Sequence, residues 1–197
     1  AQWRWGLQFL AECIDAAFVR NVAQLVALGA YSHAALKDVV NETGIEYDRL
    51  ERGIAHYYTD QKSFDGAAGA AAVMQRFGVE RRVVSRAELL AIEPALKSFA
   101  DRIVGGTYTK TDESGDARVF TQKLSTLCGQ RGARLLFSHD IERIESDGSE
   151  VRQVRVRDRA TGMASVLKAD AFVVACGSYT TPLLKSVGVD VPIYPGK

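Results

Sequence analysis

The stretch Ala171-Phe172-Val173-Val174-Ala175 is a short unbroken apolar run, and it ends in the small residues Cys176-Gly177-Ser178. A run of this kind suits a strand buried on both faces of a parallel sheet, which has no solvent face to mark with polar residues. A short helix over 181–187 follows. In such sheets ligands sit beyond the carboxyl ends of the strands. Residues 175–178 carry so little side chain that backbone can come close to a ligand. Yet Gly-x-Gly-x-x-Gly occurs nowhere in the 197 residues. The combination predicts half of a dinucleotide site, in a chain that reads as a piece of something longer. The ends agree: the first residues read as the body of a helix without an initiating Met, and Pro195-Gly196-Lys197 follows directly on a strand-like 191–194.

Composition narrows the class. The 25 basic and 24 acidic residues nearly cancel, which removes the electrostatic case for nucleic acid. A hydrophobic fraction of 47% supports a packed core and argues against disorder. Cys13, Cys128 and Cys176 are not spaced as zinc ligands or as a redox pair, so no metal site is expected. Their odd number fits a reducing compartment, read here as the cytoplasm. No apolar run approaches the roughly 20 residues that span a bilayer.

Periodicity sets the elements. Residues 1–42 read as helices, with Phe18, Val22, Leu25, Gly29, Ser32, Leu36 and Val40 spaced as one buried stripe. Residues 47–59 read as extended, with 54–58 the β-favouring part, 60–77 as a helix and 82–84 as a strand. Ser85 with Glu88 three residues on predicts a capping box for a helix ending before Pro94. A Gly- and Thr-rich strand over 103–110, a polar loop at 112–116 and a helix over 119–130 come next. Strands are then expected at 133–137, 141–146, 151–157 and 163–168, the last three forming a meander that feeds 171–175. The fold class is mixed α+β and α/β. Residues 1–111 are expected to form a mixed α+β part and 112–197 an α/β part with the meander.

Each candidate for chemistry has a plainer counterpart. Ala175, Cys176 and Gly177 line a dinucleotide, or they form an ordinary turn in which Gly177 takes a positive φ and Ser178 caps a helix. Cys176 has no basic neighbour in sequence and reads as a small buried hydrophobe. Asp112, Glu113 and Asp116 offer acid–base groups, against a solvated loop in which Asp116 is a helix N-cap. His33, His56 and His139 have no metal-ligand spacing. Tyr57 and Tyr58 alternate faces of a strand, with packing as their default role. Trp3, Trp5, Phe9 and Leu10 fit packing against other parts of a longer chain, or a membrane interface at the inner face of the plasma membrane.

The residues also resemble a family. Ala91-Ile92-Glu93-Pro94-Ala95-Leu96, Asp112-Glu113-Ser114-Gly115-Asp116, Phe120-Thr121-Gln122-Lys123-Leu124, Gly177-Ser178-Tyr179-Thr180-Thr181-Pro182-Leu183-Leu184-Lys185 and Val191-Pro192-Ile193-Tyr194-Pro195-Gly196-Lys197 are similar, in order, to the small subunit of bacterial D-amino acid dehydrogenases, flavoproteins of the D-amino acid oxidase superfamily. The resemblance implies FAD, a D-amino acid substrate oxidised to a 2-oxo acid and ammonia, and a respiratory electron acceptor. It implies that 1–111 is part of a substrate-binding domain with helices and an antiparallel sheet, and 112–197 part of an FAD-binding domain. It implies that the glycine-rich first turn lies outside this chain, so that these residues alone are expected to be inactive, to lack stoichiometric FAD and to self-associate. Ile141 resembles the position whose backbone meets the adenine ring, and Ala175, Cys176 and Gly177 the turn beside adenosine and pyrophosphate. No catalytic residue carries over. Glycine or sarcosine oxidases and 2-hydroxy acid oxidoreductases of the superfamily remain alternatives, as does a non-catalytic partner- or membrane-binding domain.

Overall fold

A strand that opens on two glycines is weak by propensity, so its place must be set by what packs against it. In the computed structural model, which describes residues 2–191 and 193, that strand is central to a three-stranded antiparallel sheet. Strands β1 (Ile54–Tyr58) and β2 (Arg81–Ser85) flank β3 (Gly105–Thr109), and Tyr58 and Ser85 both stand opposite Gly105. A Cβ on Gly105 would lie 2.6 Å from the Phe64 ring, and one on Gly106 2.5 Å from the backbone carbonyl of His56. Both glycines are therefore required by close approach.

Alternation along β3 sends neighbouring residues to opposite faces. On the Gly105 side lies α3 (Gln61–Gln75), which carries Phe64 and the buried Ala71. On the Gly106 side lies α4 (Arg86–Ile92), whose Leu89 is fully buried with Val84 and Ile103. Ala55, Ile92, Leu96, Phe99 and Tyr108 close around these three. The helix ends follow their local chemistry. Asp60 accepts from the Ser63 N–H at 2.8 Å, and Ser85 and Glu88 form the expected capping box. Pro94 leads into a 3-10 helix, Pro94–Arg102. Tyr57 packs edge-on to Phe99 and Tyr58 against Phe64, so both tyrosines serve packing.

The N-terminal helical reading holds in outline and is corrected in burial. The helix breaks at Cys13 and Ile14 into α1 (Gln2–Glu12) and α2 (Asp15–Thr43), which Gly44 ends in the left-handed conformation. Of the seven stripe residues only Val22 is buried; Phe18, Leu25, Gly29 and Ser32 are exposed. Spacing identifies the apolar side of a helix but not what covers it. Trp3, Leu10 and Ile14 are exposed as well, and Trp5 stacks on Phe9 one turn away with ring centroids 5.3 Å apart. No single helix among the described residues is long and apolar enough to cross a membrane.

By packing, the chain divides into Ala1–Arg131 and Gly132–Lys197. The first unit includes α5 (Ala117–Gln130), whose N-cap is Asp116 as expected. The second holds the meander: β4 (His139–Ser146), β5 (Val151–Asp158) and β6 (Ala164–Leu167), antiparallel in that order. A β-bulge at Glu142 shapes it. Ile141 stands opposite Val156 and Ile144 opposite Val154, so the bulge turns two residues three apart to the same face. A regular strand would have put them on opposite faces.

Two expected strands are absent. Residues 133–137 have no partner and end at Ser138, which holds a positive φ of 58°. Residues 171–175 belong to neither sheet, and Val173 is 92% exposed. A parallel strand needs a neighbour on each side to satisfy its backbone groups, and no described strand pairs with this run. The expected helix over 181–187 is α6 (Thr180–Leu184) followed by a 3-10 turn, Lys185–Val187. The strand-like reading at 191–194 falls largely outside the described residues.

Two measurements check this account. Leu89→Ala should lower stability by about 3 kcal/mol in denaturant unfolding, the scale for emptying a fully enclosed leucine site. In the meander, Glu145 accepts hydrogen bonds from Gln153, Arg143 and Arg155, in that order of influence, and its pKa falls to about 2 from 4.5. A carboxylate held lower in the folded state contributes stability that is complete above its unfolded pKa and is lost as pH falls through the folded one. Unfolding midpoints should therefore drop between about pH 4.5 and 2, and Glu145→Gln should flatten that decline.

Candidate functional site

The bulge that aligns Ile141 with Ile144 also builds a hollow. Ile141 is exposed at 46%, and with Cys176, Pro182 and Leu183 it gives the hollow its apolar lining. Asp140, Glu142, Arg159 and Tyr179 supply its polar lining, and the hollow, open to solvent, measures about 540 Å³. Cavities of roughly 300–1,000 Å³ with an apolar lining and a few placed polar groups suit small ligands and cofactors. The segment bearing α6 is held to β4 by Ser186. Its hydroxyl accepts from the Ile144 N–H at 3.3 Å and donates to the Leu183 carbonyl at 2.7 Å.

The electrostatics of this polar lining are dominated by one ion pair. Arg159 Nε donates to Asp140 Oδ1 at 2.7 Å, and the Arg159 N–H donates to the Ser138 carbonyl at 3.0 Å. The hydrogen bond from Arg159 keeps the Asp140 carboxyl below its usual range, and the same bond raises the guanidinium. Glu142, the bulged residue, is paired with Arg157.

Of the four residues expected to meet a cofactor, the hollow brings together Ile141 and Cys176. Ala175 and Gly177 flank Cys176 in the chain but do not line the space. Gly177 holds a positive φ of 54°, as the turn reading required, with open space where a Cβ would go. Ser178 makes no capping hydrogen bond. Sequence reasoning did not single out Asp140, Arg159 or Tyr179. The hairpin register was the signal: pairing His139 with Asp158 places Asp140 within reach of Arg159 in the following turn.

The acidic loop has a different environment from a solvated one. Leu50 and Ser114 exchange both backbone hydrogen bonds, and the Asp116 N–H donates to the Tyr47 carbonyl at 2.7 Å. Gly115 is needed because a Cβ there would meet the Tyr47 ring at 2.4 Å. Glu113 is 10% exposed at its side chain; Arg49 donates to its Oε2 from Nε at 2.9 Å and from Nη2 at 2.7 Å. Burial pushes the Glu113 pKa up, but the Arg49 hydrogen bonds and charge outweigh it, and the net shift is downward. His33 Nε2 lies 3.5 Å from the other carboxylate oxygen. The pair ties loop to neighbour, and the carboxylate is committed as an anion rather than poised as a general acid. His56 stays on its strand, and no group of metal-ligating side chains occurs among the described residues.

The meander and the helix-covered antiparallel sheet recur together in solved structures. The structure of glycine oxidase from Geobacillus kaustophilus superposes with a TM-score of 0.68 at 24% identity, over 86% of this chain and 44% of that one. The chain belongs to the FAD dependent oxidoreductase (DAO) family, whose model matches residues 3–197. The D-amino acid dehydrogenase of Dechloromonas aromatica (strain RCB) is 44% identical over all 197 residues, which make up 47% of that relative. That of Granulibacter bethesdensis (strain ATCC BAA-1260 / CGDNIH1) is 40% identical over 197 residues and 46% of its length. The chain thus spans about half the length of the curated relatives it matches.

Gly177→Val tests the turn beside the hollow. A β-branched residue at positive φ is strained by about 1–3 kcal/mol, so the turn carrying Cys176 should shift. The flavin-to-protein absorbance ratio of the purified full-length protein should fall, while Gly177→Asn, which tolerates this conformation, should keep it.

Proposed function

We propose that this chain is part of a flavoprotein that oxidises D-amino acids to 2-oxo acids and ammonia and hands the electrons to a respiratory acceptor. The observation that carries the reading is 44% identity to a D-amino acid dehydrogenase over every residue of the chain. FAD, when bound, supplies two-electron oxidation at the substrate Cα, and water converts the resulting imino acid to the 2-oxo acid. The residues of this chain would hold the adenosine half. The apolar lining at Ile141 and Cys176 suits a purine face, and the polar lining suits its hydrogen-bonding edge. The glycine-rich turn that cradles a pyrophosphate is not among these 197 residues.

The test is dye-linked reduction by the purified full-length protein with D-alanine, L-alanine, glycine, sarcosine and 2-hydroxyglutarate. D-alanine should give a kcat/KM at least about a hundredfold above each of the others, a discrimination of about 2.7 kcal/mol. Preference for glycine or sarcosine would move the assignment to the oxidase branch of the family, and a colourless protein without flavin would remove it altogether.

A further inference from the structure

Glycine in the middle of α2 answers no packing need. It weakens a helix interior relative to alanine, yet a Cβ on Gly29 would meet nothing within 4 Å. The open space beside it belongs to a second hollow, of about 330 Å³, contained wholly in the first unit. Three segments wall it: α2 through Val26, Ala30 and His33, the turn between α3 and β2 through Phe77 and Val79, and the loop after β3 through Asp112. The walls are mainly apolar, and the volume falls within the range of small-ligand cavities, roughly 300–1,000 Å³.

The polar groups share one property: they accept hydrogen bonds. The Asp112 carboxylate is paired with no cation among the described residues, whereas the adjacent Glu113 is neutralised by Arg49. The Asp112 backbone is tethered, its carbonyl accepting from the Gly53 N–H at 3.0 Å, so the carboxylate is presented from a fixed loop. No lysine or arginine lines the hollow. His33 keeps 36% of its side chain exposed, but its Nε2 is fully buried, 3.5 Å from Glu113 Oε1. When the ring carries one proton, the facing carboxylate draws it to Nε2 and leaves Nδ1 as an acceptor. Thr111 adds a hydroxyl, which accepts as well as donates. The head group that matches such a set is an ammonium, with three donors and no acceptor.

We propose that this hollow binds a primary amine with an apolar body, its ammonium held by Asp112 and His33 and its body lying against Phe77, Val79 and the open flank of Gly29. The unpaired carboxylate selects a cation and rejects an anion, and the missing side chain at position 29 leaves room for the body. The assignment stands apart from the cofactor reading, since it uses none of the residues around Ile141 and Cys176.

The experiment is calorimetric titration of the full-length protein with benzylamine, benzyl alcohol and benzoate, which share a ring and differ in charge. Benzylamine should bind saturably, benzyl alcohol about tenfold more weakly, equal to about 1.4 kcal/mol, and benzoate not at all. Asp112→Asn should weaken benzylamine by about tenfold and leave benzyl alcohol unchanged. Gly29→Leu fills the space and should abolish binding of both, with a melting temperature at or above that of the wild type, because leucine is the better helix former. A wild-type protein that does not bind benzylamine, or binds benzoate as tightly, would overturn the site. So would wild-type benzylamine affinity in Asp112→Asn or in folded Gly29→Leu, and should Gly29→Leu not fold, Asp112→Asn decides alone.

Discussion

Close approach at β3 governs the first unit. Two residues without side chains let a phenylalanine ring from α3 and a carbonyl of β1 occupy space that any Cβ would fill. The sheet can then be thin at its centre, and α3 and α4 sit on opposite faces with Leu89 and Val84 fully enclosed. Strand propensity at Gly105 and Gly106 is given up, and burial of the flanking apolar side chains more than offsets it. The polar segment at 112–116 depends on the same logic. Gly115 accommodates the Tyr47 ring, and the resulting proximity allows the Leu50–Ser114 bridge and the Arg49–Glu113 pair to form.

The second unit depends on one irregular residue. Glu142, extra in β4, rotates the strand so that Ile141 and Ile144 share a face. Ile144 becomes buried and Ile141 is left exposed, where it can line a hollow. Glu142 itself joins the polar lining and is held by Arg157. The chemistry of the site thus follows from a local defect in pairing, which is where sheets commonly re-aim side chains for function.

Much of this was legible in the sequence and some was not, for separable reasons. Local signals were reliable. Ser85 with Glu88, and Asp116 before a helix, each declare themselves within four residues, because a cap is a local hydrogen bond. The meander was readable from the three strand-like runs at 141–146, 151–157 and 163–168. Burial was not readable where it depends on distant partners. The stripe on α2 has helical spacing, but Leu25 and Phe18 face solvent in this chain. The run at 171–175 has the composition of a buried strand, yet a strand exists only where neighbours pair with it. At the site, Ile141 and Cys176 were named from resemblance. Asp140, Arg159 and Tyr179 emerged only once the register set which loop residues meet.

The hydroxyl of Ser186 has one further consequence. By accepting from the Ile144 N–H it occupies a backbone position on the outer side of β4 that another strand would otherwise claim. The opposite margin of this sheet is β6, four residues long, with Val166 and the neighbouring Met163 open to water. The sheet is therefore polar in its capacity to grow: one margin is stoppered by a side chain, and the other remains a template.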